Sequence, residues 1–562
     1  MDRDQILTPR QVEGMIAKGD TIVIFQDMVL KLDGWLQKHP GGKLAILHMV
    51  GRDATDEIMA YHRAPTLKSV SAFRIGRKPL GPWINMKPPI RGGVYLECTD
   101  DEARAGGALD DSDTEGESLL SEPALTDISS GTSVFSSTDA GLRKRIGTPL
   151  SQCSSASVEG GDAGAMTRAE FTTSVCQADV AKDLLEYPPL DQDVQEDIVR
   201  RYRALHQAVI DEGLYQCNYW KYGEEMVRYT SLFVLFLVAL RYEQYCLSAV
   251  FLGGFWHQIM FTAHDAGHRA ITQKFVIDSA IGVFIADFCC GLSIGWWKSS
   301  HNVHHLITNH PEHDPDIQNL ALFATSPQFF KSLVSSYYDG FVFYWDRLAE
   351  FLVPIQQYTY YPIMAIARFN LYVLSWLHVL SNKSSGLGGS KAWWIRPAEM
   401  AGMACYWFLF GYCLVWCSIP TWTSRILFVL ISHIVLMPLH VQINLSHWGM
   451  STAELGEGES FAQRQMRTTM DIDCPTWLDW FHGGLQFQVV HHLFPRVPRH
   501  NLRRVQTLLK EFAKDTNIPY SLMGFVDGNH KVLGRLGEVG EQVKLLVRCQ
   551  KDMAEKGEMG LH

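Results

Sequence analysis

Three short groups of histidines carry most of the chemistry this sequence could perform. HDAGH places His264 and His268 four residues apart, a spacing that puts both imidazoles on one face of a helix. HNVHH supplies His301, His304 and His305, and QFQVVHH supplies Gln488, His491 and His492. Imidazole suits iron, copper and zinc, so ligand type alone does not select a metal. Seven histidines and a glutamine exceed the four ligands of a tetrahedral zinc site, and two metal ions sharing them is the economical reading. Any one of these histidines taken alone reads more simply as a packing or surface residue; the three groups together argue for a metal centre. Asp265, Asp314 and Asp316 stand beside them, either as supports that orient ligand histidines or as structural caps.

A second constellation lies near the N-terminus. KHPGGK, residues 38–43, sets His39 before a proline that fixes the backbone and two glycines that allow a tight turn close to a planar cofactor. His62 follows a short helical stretch and could bind the opposite face of the same group. His48 competes for that role but lies too close in sequence and reads as part of the helix after the turn. Iron held between two axial histidines has no open position, so such a centre transfers electrons without activating oxygen. Asp53, Asp56 and Glu57 are candidates for an acidic docking rim, or else a solvated helix face.

These groups need elements to hold them. With 562 residues, at least two folded units are expected. Residues 1–97 read as a small α+β domain, with strand-like content in TIVIFQDMVLKL. Residues 98–180, rich in Ser, Thr, Gly, Asp and Glu, read as a disordered acidic linker. A pre-membrane helical segment (181–225), an all-α membrane domain (226–535) and a C-terminal tail (536–562) complete the expectation. Apolar runs at Tyr229–Tyr245, Leu247–Ala263, Met400–Ile419 and Arg425–Leu445 are long enough to cross a bilayer, which takes roughly 20 residues per helix. The apolar stretches 275–297 and 358–380 are expected to be interfacial or re-entrant, the latter because Arg368 would be costly in hydrocarbon. Four spans then return all three histidine groups to the side on which the N-terminal domain lies. The scattered 12 cysteines suit a reducing compartment, MDRDQILTPR lacks the apolar core of a signal peptide, and a net charge of −10 without a basic stripe gives no reason to invoke nucleic acid.

The second half resembles the membrane fatty-acyl and sphingolipid desaturases, through HxxxH, HxxHH and [HQ]xxHH boxes and through WWKSSHNVHHLITNHPEHDPDIQ and FHGGLQFQVVHHLFPRVPRHNL as continuous stretches. Gln488 at the head of the third box marks the front-end subclass. The resemblance implies a further histidine ligand after the last span, for which NLSHW offers His447, and two non-haem iron ions. Residues from about Thr8 to Arg77 resemble cytochrome b5, which implies one haem b held by His39 and His62. The whole is most similar to fungal sphingolipid Δ8 desaturases. That resemblance implies O2 and ceramide as substrates, an NADH-cytochrome b5 reductase as electron source, and the endoplasmic reticulum membrane as location. A front-end Δ5 or Δ6 fatty-acyl desaturase, a lipid hydroxylase of the same iron chemistry, and a membrane-anchored b5 electron carrier without its own iron chemistry remain open at this point.

Overall fold

The computed structural model describes residues 3–97, 167–381 and 392–555. In the N-terminal domain, Thr8 caps the helix Pro9–Ala17 through a reciprocal pair with Gln11. Strands β1 (Ile22–Phe25), β2 (Met28–Lys31) and β3 (Arg74–Arg77) form an antiparallel sheet in that order. All four β1 residues are buried, because side chains alternate across the sheet and both faces are covered. Ile22 and Ile24 enter a core with Val12 and Ile16, while Val23 and Phe25 face a second core with Leu30, Ile46 and Met49. This second core forms the wall of a crevice.

The segment expected to be a linker through residue 180 ends sooner. Residues 98–166 lie outside those described, but Arg168–Glu186 is a helix. Thr167 and Glu170 form a capping box at its start, and Asp183 near its end accepts a hydrogen bond from the buried Arg467 at 2.9 Å. Composition alone did not show this pairing, since its partner lies 284 residues away.

Among the described residues, four helices are long and apolar enough to cross a membrane: Tyr245–Gly267, Arg347–Leu380, Ile395–Ser418 and Trp422–Leu445. A fifth candidate, Phe275–Cys289 with Ile294–Leu306, is bent by 115° at its break, as a re-entrant or broken segment requires. The helix Tyr219–Arg241 packs along Tyr245–Gly267, with Ser248 donating to the Phe236 carbonyl, but Glu224, Glu225 and Arg228 in its first half leave it too charged to qualify. The stretch 358–380, expected to be interfacial or re-entrant, lies within Arg347–Leu380, which has the length and apolar composition of a span. Arg368 meets no lipid: fully buried, it donates to the Cys290 carbonyl and the Tyr372 hydroxyl, each at 2.7 Å, and lies 4.0 Å over the Trp256 ring. Pairing inside the bundle removes the cost that made a spanning helix look unfavourable.

The two folded parts meet through charge. Arg203 donates to Asp56 at 2.7 Å, Arg464 to Glu57 at 3.1 Å, and Arg52 pairs with Glu457. Arg496 donates to the Ala60 carbonyl at 2.9 Å. Asp56 and Glu57 are therefore buried, and the acidic rim expected to be open to an outside partner is here turned inward; Asp53 caps Thr55. Removing one member of a buried pair strands the other charge at a cost of about 3–5 kcal/mol. Glu57→Gln and Arg464→Gln should each speed hydrogen exchange in Thr55–Tyr61, and the double variant should fall short of additivity by more than about 0.5 kcal/mol. Additive effects would show that the pair does not hold this surface.

Candidate metal centre

Four separate segments deliver the histidines to one place. The helix Tyr245–Gly267 carries His264 and is closed by His268. The helix Ile294–Leu306, capped by the Ser293 hydroxyl, carries His301, His304 and His305. The short helix Gln488–Leu493 carries His491 and His492, and His447 follows the helix Met437–Leu445. Nitrogens of His264, His268, His301 and His491 all lie within 4.8 Å of one another, as do those of His304, His447 and His492. His305 sits between the two sets, with ring centroids 4.1 Å from His492, 4.4 Å from His301 and 4.7 Å from His491. Gln488 opens its helix, buried and at helical spacing from His491 and His492, which places it on their face.

The nitrogen atoms themselves test whether metal fits. His268 Nε2, His305 Nδ1, His447 Nδ1, His491 Nε2 and His492 Nε2 are buried without a hydrogen-bond partner. Each such orphan costs about 1–3 kcal/mol, so a cluster of them is intelligible where ions accept their lone pairs. An all-imidazole set suits borderline transition-metal ions.

Neighbouring groups fix the rings. Asp314 accepts from His304 Nδ1 at 2.8 Å and from the backbone of Asn309 and Asp316 at 2.7 and 2.9 Å, so its carboxylate is fully engaged in holding that imidazole. Asp265 lies 3.6 Å from His264 Nδ1 and is clasped by Arg499 and Tyr222. Asp316 accepts from the Ser300 hydroxyl at 2.9 Å. Sequence reasoning missed Gln465, whose side-chain oxygen meets His492 Nδ1 at 3.0 Å while its amide donates to the His305 carbonyl at 2.7 Å. No local pattern signals it, since it belongs to none of the histidine groups. Packing adds a constraint: Trp297 stacks on His301, and a Cβ on Gly267 would lie 2.1 Å from the Trp297 ring.

In the N-terminal domain, His39 and His62 face one another with ring centroids 6.0 Å apart. Each Nδ1 meets a backbone carbonyl, that of Gly42 at 3.0 Å and that of Ile58 at 2.9 Å, which leaves each Nε2 for a ligand. Gly42 turns the chain at φ 86°, open to glycine at no steric cost. Burial holds both imidazoles neutral, lowering His39 and taking His62 down to about 4. A cavity of about 590 Å³ bordered by both rings is walled by apolar side chains including Val23, Leu32, Trp35 and Phe73, as a porphyrin requires. His48 instead packs on His313 at 5.1 Å and does not line this cavity. His268, of the first nitrogen set, borders it.

Comparison with known proteins matches both halves of the chain to families. Residues 244–523 match the fatty acid desaturase family, and residues 8–78 match the cytochrome b5-like heme/steroid binding domain. A Delta 8-(E)-sphingolipid desaturase of Emericella nidulans is 48% identical over 100% of this chain and 99% of its own length. Proteins of the same name from Komagataella phaffii and Candida albicans are 44% and 42% identical, each over 97% of this chain and over 95% and 98% of their own lengths. An N-terminal cytochrome b5 domain joined to a helical membrane desaturase domain, similar from end to end to these enzymes, shows that the chain belongs to the fungal Delta 8-sphingolipid desaturases.

Proposed function

We propose that the chain introduces a double bond at position 8 of the long-chain base of ceramide, using O2 and electrons relayed through its own haem domain. The observation that carries this reading is the meeting of seven histidines in two adjacent nitrogen sets, with His305 between them, beside the cavity that His39 and His62 border. The substrate follows from the names of relatives matched over nearly the whole chain. In this reading His39 and His62 hold haem b. His264, His268, His301, His304, His305, His447, His491 and His492, with Gln488, hold two non-haem iron ions. NADH-cytochrome b5 reductase supplies the electrons at the cytosolic face of the endoplasmic reticulum membrane.

Bound there, the irons would supply the oxidising chemistry that takes two hydrogens from a methylene pair, with two electrons and two protons completing the reduction of O2 to water. The protein's own part is positional. Asp314, Asp265 and Gln465 hold imidazoles by their second nitrogen or beside it, so each ring presents one lone pair in a fixed direction. Burial of His268, His304, His305, His447, His491 and His492 limits access of bulk water to the reacting region. Expression in a host lacking Δ8-unsaturated long-chain bases, followed by mass spectrometry of ceramides and fatty acids, tests the assignment. New unsaturation confined to fatty-acyl chains would reassign the substrate, and a chain that binds haem without iron would be an electron carrier.

Substitution of His268, His304 or His492 by Ala should remove non-haem iron and product while leaving the haem absorption bands unchanged; near-normal desaturation by any two would end the di-iron assignment. Asp314→Asn keeps the shape but loses the anion beside His304, and iron affinity measured by chelator competition should fall about 10–100-fold. His39→Ala should eliminate bound haem and nearly all product in cells, even where free cytochrome b5 is present, because a tethered donor acts at high effective concentration. Wild-type product from this haemless variant would make the fused domain dispensable.

A further inference from the structure

The cavity bordered by His39 and His62 is not walled by the N-terminal domain alone. Gly267, His268, Arg269, Phe275, Lys298, Asn302, Leu306 and Arg496 of the membrane half also line it. Three of these are cations. Arg269 and Lys298 flank the Phe275 ring, at 5.0 and 5.7 Å from its centroid. Arg496 is committed to the Ala60 carbonyl, two residues before His62, which ends the helix Thr55–Tyr61.

The electrostatics of this wall are unbalanced. Among the described residues, neither Arg269 nor Lys298 forms an ion pair within 4.0 Å. The one carboxylate lining the cavity, Glu57, is taken by Arg464. Asp278, the acid whose field reaches Arg269, accepts from the Thr272 backbone and hydroxyl at 2.9 and 2.7 Å. A net positive wall on an otherwise apolar, porphyrin-sized cavity calls for a ligand that is apolar over most of its surface and anionic at an edge.

We infer that Arg269 and Lys298 are haem-binding residues contributed by the desaturase half, pairing with the propionate carboxylates of the haem held by His39 and His62. The inference rests on the haem reading above. It makes the cofactor a bridge between the two folded parts. Arg269 follows His268 directly, and Lys298 precedes His301 by three residues, so the residues assigned to the propionates adjoin residues assigned to iron. Two charge-assisted hydrogen bonds would then tie the haem edge to two of the three segments that present the first nitrogen set.

The test uses the full-length holoenzyme in detergent and reads haem release to apomyoglobin and the haem reduction potential. Arg269→Gln and Lys298→Gln should each speed haem release on the order of 10-fold or more. Both should lower the potential, since a removed cation no longer favours the more negative reduced haem. Arg269→Lys and Lys298→Arg keep the charge, and should stay near wild type. Reconstitution with haem dimethyl ester, which lacks the carboxylates, should release faster than haem b from wild type and equally fast from the double Gln variant. If the ester and the free acid leave the double variant with the same difference as from wild type, or if the Gln variants match wild type in release and potential, the inference is overturned. A wild-type chain that binds no haem would overturn the haem reading itself.

Discussion

Eight imidazole rings packed against one another, six of them buried, are unfavourable unless their nitrogens are claimed. The helices Tyr245–Gly267, Ile294–Leu306 and Gln488–Leu493 and the turn at His447 must converge for ions to claim them, and no two of these segments are adjacent in sequence. Much of the rest of the structure can be understood as scaffolding for that convergence. The bend of 115° returns Ile294–Leu306 toward the end of Tyr245–Gly267, and Gly267 lets Trp297 close against it. Arg499 reaches from beyond the third histidine group to Asp265 in the first, tying the extremes of the site together.

What was legible in the sequence was local. The i, i+3 and i, i+4 spacings of the histidines survive as shared faces of short helices, and HPGG with His62 maps onto two facing rings. Asp314 could be suspected because it lies only ten residues from His304. His447 came from resemblance, since a single histidine after an apolar run has no spacing to read. Gln465 and the second roles of Asp56 and Glu57 were beyond reach. Arg203 is 147 residues from Asp56 and Arg464 is 407 from Glu57, so only the folded chain shows that these acids face basic partners inside the molecule.

Arg368 illustrates the same limit in the membrane half. Hydropathy treats a charge in an apolar run as if it met lipid, whereas tertiary packing surrounds this one with the Trp256 face, the Tyr372 hydroxyl and a carbonyl. Residue-by-residue expense is therefore a poor guide inside a bundle, where neighbouring helices supply the polar surface that the bilayer lacks.

The shared crevice also orders events in time. Residues 1–97 leave the ribosome before the helices that carry Gly267–Arg269 and Lys298, so the N-terminal half of the crevice exists first with one side open to solvent. Cofactor entering then meets no obstacle from the membrane half.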